Sequence, residues 1–135
     1  MYLLDTDILS DLVRHPRGVI GARITALPAE AVSTSIIVAS ELRFGAERRG
    51  SERLTAQLEG ILKRLPVLPL ADDADRHYGV LRASLERHGT PIGANDMVIA
   101  AHALALDATL VTVNVRAFAR VPGLRVENWL RLAGA

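Results

Sequence analysis

Two acidic residues lie at the ends of apolar segments, where a carboxylate is either a cap or a reactive group. Asp5 directly follows the apolar run Tyr2–Leu4, which predicts a buried strand with the acid at its carboxyl end. Asp96 precedes residues 97–106, in which His102 is the one polar side chain. A segment with so few polar positions predicts a helix that is covered on nearly all faces. Asp96 is therefore expected where a surface loop enters the core, either as a helix cap or as part of a site.

A third acid, Glu41, lies within a predicted helix. Ile37 precedes it by about one turn and Phe44 follows it by about one turn, so all three side chains can share one face. An acid on such an apolar stripe either lies at the edge of the buried face, in water, or has a partner inside. The sequence around Glu41 alone leaves both interpretations open.

Taken together, Asp5, Glu41 and Asp96 predict a metal site if the fold brings them to one edge. Neighbouring carboxylates repel, raise each other's pKa and need a cation to stay ionised. Ligands that are all oxygen suit Mg²⁺ or Mn²⁺ rather than zinc. A cation of this kind can activate water and neutralise charge on a phosphodiester.

Composition limits the remaining possibilities. A chain of 135 residues, half of them hydrophobic, fits one domain with one core, and we expect residues 1–135 to form it. The absence of cysteine excludes disulfides, thiolate metal sites and a cysteine nucleophile. A net charge of +1 means that nucleic-acid binding would depend on a local patch. With no charged-then-apolar leader and no apolar run of about 18 residues, a cytoplasmic protein without a membrane span is expected.

Strand-like and helix-like segments alternate along the chain. This pattern predicts an α/β fold with a mostly parallel central sheet of four to five strands and helices on both faces. Ligands in such sheets bind beyond the carboxyl ends of the strands. Asp5 is expected at such an end, so it is a candidate site residue. The predicted strands are Tyr2–Leu4, Ala31–Ser35, Val67–Leu70, Thr109–Val113 and, less clearly, Leu124–Val126. The predicted helices are Ile8–Arg14, Val19–Leu27, Ile36–Arg49, Ser51–Leu65, Asp72–His88, Met97–Leu106 and a terminal one over about Asn128–Leu132.

Four motifs in order resemble a known family. They are Leu3-Leu4-Asp5-Thr6-Asp7, Ser40-Glu41-Leu42-Arg43-Phe44-Gly45-Ala46-Glu47, Gly93-Ala94-Asn95-Asp96-Met97-Val98-Ile99-Ala100-Ala101-His102-Ala103, and Thr112-Val113-Asn114-Val115-Arg116-Ala117-Phe118. With the tail Val121–Trp129 they resemble PIN-domain ribonucleases, and specifically the VapC-type toxins of type II toxin–antitoxin systems. The resemblance covers the chain from end to end.

The resemblance implies a metal-dependent endoribonuclease that cleaves tRNA or rRNA. Its metal ligands would be Asp5, Glu41 and Asp96, with Asn114 as a weaker or more distant fourth, and its cofactor Mg²⁺ or Mn²⁺. A VapB-type antitoxin and a second copy of the chain would be its protein partners. Asn114, Val113 and Ala117 depart from the family's more polar or acidic pattern, which leaves open a degenerate domain that binds RNA or a partner without cleavage.

The arginines after Glu41 have two interpretations. Arg43, Arg48 and Arg49 form either a solvated charged face or a set of phosphate contacts for RNA beside the acidic site.

A phosphatase is the remaining alternative, since Asp5-Thr6-Asp7 after a strand also resembles the first motif of haloacid-dehalogenase-type phosphatases. That mechanism uses Asp5 as a nucleophile and needs a lysine, and Lys63, the only lysine, lies in a helix without the matching context. His102 follows Asp96 by about 240° around a helix, so we interpret it as a core or interface residue.

Overall fold

The computed structural model describes residues 1–130. Within this range five strands form one sheet in the order β3-β2-β1-β4-β5, and every neighbouring pair is parallel. The strands are β1 (Tyr2–Leu4), β2 (Val32–Ser35), β3 (Val67–Leu68), β4 (Thr109–Val111) and β5 (Arg125–Glu127). The predicted α/β class and the parallel sheet are confirmed, and the fifth strand is present.

Seven α-helices in the described range connect these strands. They are α1 (Thr6–Arg14), α2 (Val19–Thr25), α3 (Ile36–Arg49), α4 (Glu52–Arg64), α5 (Ala74–Arg87), α6 (Ala94–Ala105) and α7 (Val115–Phe118). Gly50 ends α3 in the left-handed conformation, with a φ of 63°, and Ser51 caps α4 through its hydroxyl. No helix among residues 1–130 has the length and apolar character that a membrane span requires.

The order of the strands places β1 at a topological switch point. The chain moves from β1 to β2 and β3 on one side, and then returns to β4 and β5 on the other. Since parallel crossovers are right-handed, α1 to α4 cover one face of the sheet and α5 to α7 the other. The carboxyl end of β1 is therefore where a crevice opens between oppositely directed connections.

The core is aliphatic, as the composition predicts. Leu3, Leu4 and Leu110 on the sheet and Ile99 on α6 have no exposed surface. His102 is also fully buried in this core, and its Nδ1 lies 2.8 Å from the Ser35 hydroxyl. Burial lowers the pKa of His102, so the ring is neutral at pH 7. The interpretation of His102 as a core residue is correct.

Several predicted boundaries are wrong by a few residues. β4 ends at Val111, so Thr112 and Val113 follow the strand rather than belong to it. β3 ends before Pro69, a residue that cannot donate to a sheet ladder. The predicted terminal helix does not begin at residue 128, since residues 128–130 are not helical, and its last part lies outside the described residues.

One helix, α7, has no counterpart in the sequence prediction. It is only four residues long, too short to show a helical period, yet it carries the fully buried Phe118. The backbone N–H of Phe118 donates to the carbonyl of Asn114, so this aromatic anchor fixes the segment that follows β4.

Replacement of Phe118 should therefore destabilise the fold. We expect Phe118→Ala to lower the free energy of unfolding by about 3–5 kcal/mol, the usual cost of removing a buried phenyl ring. Arg116→Ala, on the exposed side of the same helix, should stay within about 0.5 kcal/mol of the wild type. Urea denaturation of the three proteins measures both changes, and equal effects of the two substitutions would show that α7 is not an anchor.

Candidate active site

The carboxyl end of β1 holds the most buried acid of the chain. Asp5 is 5% exposed and caps α1, where its Oδ1 accepts a hydrogen bond of 2.8 Å from the backbone N–H of Thr6. Its Oδ2 accepts a 2.7 Å hydrogen bond from the hydroxyl of Thr112, just beyond β4. Both carboxylate oxygens are thus fixed by adjacent elements of the switch point.

Thr112 connects the acids at this edge of the sheet. It is fully buried, and its Oγ1 accepts the backbone N–H of Asn114 at 3.0 Å while it donates to Asp5. The same oxygen lies 3.4 Å from Oδ2 of Asp7. Since a hydroxyl carries one proton, the shorter contact with Asp5 is the hydrogen bond.

Asp7 lies beside Asp5 with one oxygen left without a partner. Its Oδ2 accepts the backbone N–H of Val113 at 3.1 Å, whereas its Oδ1 is buried and has no hydrogen bond within the described residues. A buried carboxylate oxygen without a donor is costly, and such atoms are common where an ion or ligand binds. From the sequence, Asp7 was named only within the motifs around Asp5 and was missed as a site residue.

Glu41 reaches the same edge from α3. Its Oε1 accepts a 2.7 Å hydrogen bond from the hydroxyl of Thr6, the residue whose backbone N–H binds Asp5. Thr6 therefore bridges two acids that are 36 positions apart in the sequence. The interpretation of Glu41 as an edge residue held only by water is wrong.

Asp96 completes the group from the first turn of α6. It is half-buried, and the structure assigns no side-chain hydrogen bond to the cap of this helix, which is Gly93. Neither Asn95 nor Asp96 caps α6, so the capping alternative is excluded. Asp96 instead lies near enough to Glu41 and Asp7 for their charges to raise its pKa.

These four acids are hereafter called the acidic cluster (Asp5, Asp7, Glu41 and Asp96), and the pKa of each of its three aspartates is raised. Burial raises the pKa of Asp5 to about 6, and the charges of Asp7 and Asp96 add to the rise that the hydrogen bonds from Thr112 and Thr6 oppose. Burial raises the pKa of Asp96, and the charges of Glu41 and Asp7 raise it further. Burial also raises the pKa of Asp7, against hydrogen bonds from the 112–114 segment. Each shift favours protonation and would be reversed by a nearby cation.

Three of the predicted site residues thus converge on one edge, which is what the sequence analysis required of them. In the side-chain positions of residues 1–130, no three Asp, Glu or His groups stand close enough together to hold a metal ion. A cation shared by Asp5, Glu41 and Asp96 stays a prediction. Asn114, the fourth predicted ligand, is exposed beside Thr112, and its position leaves its role untested.

A groove opens beside the acidic cluster between α1, α3 and α4. It encloses about 310 Å³, and Thr6 and Glu41 line its end next to the acids. Its floor is apolar and its rim is basic; Val13, Leu42, Ala46, Leu54 and Leu58 form the floor, and Arg14, Arg48 and Arg49 the rim. An acidic centre joined to an apolar groove with a basic rim suits a polyanion that carries apolar groups.

The three predicted RNA-binding arginines are not equivalent. Arg43 forms an ion pair with Glu59 of α4, which offsets its charge. Arg48 and Arg49 line the groove, are exposed, and form no ion pair with the described part of the chain. Of these three arginines, Arg48 and Arg49 therefore offer a positive charge beside the groove that no acid among residues 1–130 compensates.

The raised pKa of Asp5 makes the stability of the metal-free protein depend on pH. Between pH 4 and 6 the folded protein holds a proton that the unfolded chain has released, so stability falls as pH rises through this window. A shift from 3.8 to about 6 corresponds to about 3 kcal/mol for Asp5 alone. The Asp5→Asn side chain does not ionise, and its amide oxygen can still accept the hydrogen bond from the hydroxyl of Thr112.

We therefore expect Asp5→Asn to gain stability over the wild type as pH rises from about 4 to 6, and to keep that gain at higher pH. Urea denaturation in the presence of EDTA, at several pH values, measures the difference between the two proteins. A difference that does not change with pH would show that Asp5 titrates as an ordinary surface acid.

Comparison with known proteins identifies the family. The PIN-domain family matches residues 2–124. Ribonuclease VapC2 of Rickettsia felis is 36% identical over 131 residues, which cover 96% of this chain and 98% of that protein. The tRNA(fMet)-specific endonuclease VapC of Salmonella typhimurium is 38% identical over 129 residues, 95% of this chain and 97% of that protein.

Solved structures agree with the sequences. VapBC2 from Rickettsia felis, bound to a promoter DNA fragment, superposes with a TM-score of 0.88 at 35% identity and covers 95% of this chain and 98% of that one. DNA-bound VapBC from Salmonella typhimurium gives a TM-score of 0.87 at 37% identity, with 95% and 97% covered. The chain therefore belongs to the PIN-domain family and, within it, to the VapC ribonucleases.

Proposed function

We propose that this protein is a metal-dependent endoribonuclease and the toxin of a toxin–antitoxin pair, and that it cleaves cytoplasmic RNA at the acidic cluster. The observation that carries the proposal is the convergence of Asp5, Asp7, Glu41 and Asp96 at the switch point. Burial raises the pKa of the three aspartates, and repulsion by neighbouring acids adds to the rise at Asp5 and Asp96. Such a concentration of negative charge costs stability, and a function that needs the charge explains why it is kept.

The residues present fit a hard divalent cation. The donors are carboxylates, which suit Mg²⁺ or Mn²⁺, and the partnerless buried Oδ1 of Asp7 is an oxygen in need of a positive partner. We propose Asp5, Glu41 and Asp96 as ligands, with Asp7 beside them; Asn114 would add an amide dipole but no charge. When bound, such a cation lowers the pKa of water and neutralises charge on a phosphodiester.

The chain's own residues position these acids. The hydroxyl of Thr112 and the backbone of Thr6 fix both oxygens of Asp5, so that the carboxylate cannot rotate away from the edge of the sheet. The hydroxyl of Thr6 holds Glu41 in the same way. The basic rim beside them would bind the phosphates that flank the cleaved bond, because Arg48 and Arg49 have no acidic partner to displace among residues 1–130.

We propose tRNA or rRNA as the substrate. The name of the Salmonella relative, tRNA(fMet)-specific endonuclease, makes tRNA the first RNA to test. We also propose a VapB-type antitoxin as the cognate partner, since the matched structures are VapBC complexes, and a homodimer as the assembled form.

Cleavage that depends on Asp96 and on added metal tests this function. We expect purified wild-type protein to cut a tRNA pool with Mg²⁺ or Mn²⁺ and not with EDTA. Asp96→Asn should lower the rate by about 10²–10³-fold, the usual effect of losing one electrostatic contact at a reacting centre, without loss of stability. Asp75→Asn, which removes a carboxylate from the first turn of α5 instead, should cleave like the wild type.

Sequencing of the RNA ends would then identify the cleaved bond. RNA that binds but is never cut, under any divalent metal, would favour the degenerate binding domain instead. Hydrolysis of simple phosphomonoesters that Asp5→Asn abolishes, without cleavage of RNA, would favour the phosphatase.

The basic rim gives a separate prediction on RNA affinity. In the Asp96→Asn background, Arg48→Ala and Arg49→Ala should each weaken RNA binding and lower the slope of log affinity against log salt by about 0.7–1. Arg43→Ala should change that slope less, because Glu59 already pairs with its charge. Arg120→Ala is the matched control, since Arg120 is exposed before β5 and does not line the groove. Equal slopes for Arg48→Ala and Arg120→Ala would exclude the rim as a phosphate site.

A further inference from the structure

One exposed aromatic ring lies beside the acidic cluster. The chain has five aromatic side chains, all within the described residues, and Phe44 alone is exposed, at 64% of its surface. The pattern of the sequence placed Phe44 on an apolar stripe of α3 with Ile37, and that expectation of a shared buried face is wrong. The buried side of α3 carries Val38, Ala39 and Ala46, and Phe44 points away from it.

Phe44 lies close to Glu41 on the surface of α3. Three residues along a helix advance the chain by about 4.5 Å and return nearly to the same face, so Phe44 lies about one turn beyond Glu41. Arg48 follows one turn later, with its guanidinium carbon 5.8 Å from the centre of the Phe44 ring. An acid of the cluster, an aromatic ring and an unpaired cation thus succeed one another along one face of α3.

The groove beside the acidic cluster extends along the same part of α3. Gly45 and Arg48 line it, and a Cβ at Gly45 would meet no atom within 4 Å, so the groove is open at the residue after Phe44. Phe44 does not itself line the groove, but its ring lies beside the guanidinium of Arg48, which does. A ligand that extends from the acidic cluster along the groove and over Arg48 can therefore reach the ring. The uncompensated charges of Arg48 and Arg49 indicate that this ligand is anionic.

A single-stranded nucleic acid combines these properties. Unpaired bases stack on aromatic side chains whatever their sequence, while phosphates bind the neighbouring arginines. RNA is typically recognised in loops whose bases can leave their own stack. An exposed phenyl ring flanked by an arginine presents both surfaces to one nucleotide.

We propose that Phe44 is a substrate-positioning residue, on which an unpaired RNA base next to the cleaved phosphodiester stacks. Arg48 holds the adjoining phosphate. The proposal rests on the proposed ribonuclease function and specifies its substrate as a loop or single strand with at least one base free to leave its stack. It also explains why a ring that could be buried is exposed one turn from Glu41.

Substitutions at Phe44 separate stacking from apolar contact. In the Asp96→Asn background, Phe44→Ala and Phe44→Leu should weaken binding of a tRNA-derived loop oligonucleotide by about 10-fold or more, the effect expected from loss of one stacked base. Phe44→Tyr and Phe44→Trp should retain the affinity of the parent protein. In proteins with Asp96 intact, Phe44→Leu should raise KM more than it lowers kcat.

Val19→Ala is the matched control, since Val19 is also an exposed apolar side chain but lies on α2. Urea denaturation of every variant should show nearly unchanged stability, because the Phe44 ring is mostly in water.

Oligonucleotides with one abasic position identify the stacked base. One such position should weaken binding to the parent protein as much as Phe44→Leu does, and the two changes together should weaken it no further. The fluorescence of Phe44→Trp, corrected for the buried Trp129, should be quenched by the intact oligonucleotide and not by that abasic one.

Each outcome decides between alternatives. RNA binding that Phe44→Leu leaves unchanged would overturn the proposal while the ribonuclease function stands. Loss of antitoxin binding with intact RNA binding would assign the ring to a protein interface and overturn it as well. A wild-type protein that binds RNA without cleaving it contradicts the ribonuclease function alone, and stacking on Phe44 then stands or falls by the fluorescence. A protein that binds no RNA contradicts both.

Discussion

The burial of the Asp5 carboxylate is the constraint on which the site depends. A buried carboxylate must have both oxygens satisfied, and two different elements supply the donors: Thr6 at the start of α1 and Thr112 after β4. These bonds tie the carboxyl ends of β1 and β4 together. They also lower the pKa of Asp5, but burial raises it by more. The hydrogen bonds therefore fix the position of the carboxylate without fully stabilising its negative charge.

The sheet topology explains why the other acids meet Asp5. At the switch point, helices from both faces begin at the same edge, and α3 and α6 each bring one acid within their first two turns. Thr6 then links Glu41 to Asp5 through one residue, using its backbone for one acid and its hydroxyl for the other. The cluster is therefore built from short contacts near the ends of elements, and no single element contains it.

The sequence predicted the parts of this arrangement that leave a periodic or compositional signal. Asp5 and Asp96 interrupt apolar runs, and the alternation of strands and helices predicts the parallel sheet that brings them to one edge. Asp7, Thr6 and Thr112 were missed as site residues because their role depends on distances between segments that are far apart in the chain. Phe44 was misjudged for a related reason: a helical stripe predicts which residues share a face, but neighbouring elements decide which face is buried. The helix α7 is too short for any period to show.

The exposed ring of Phe44 and the crowded acids both cost the isolated protein stability. Each is unfavourable in the isolated chain, since Phe44 leaves apolar surface in water and the aspartates are crowded in a partly buried edge. Structures tolerate such features where a ligand relieves them, and Phe44 lies one helical turn from Glu41, the acid of the cluster that α3 carries. A cation would relieve the repulsion among the acids and a stacked base would cover the ring, so one bound RNA with its metal would remove both costs together. Under the proposed function, the stability that the free protein forgoes at this edge would be recovered on binding, so affinity for the substrate would depend on the repulsion among the acids and the exposure of the ring.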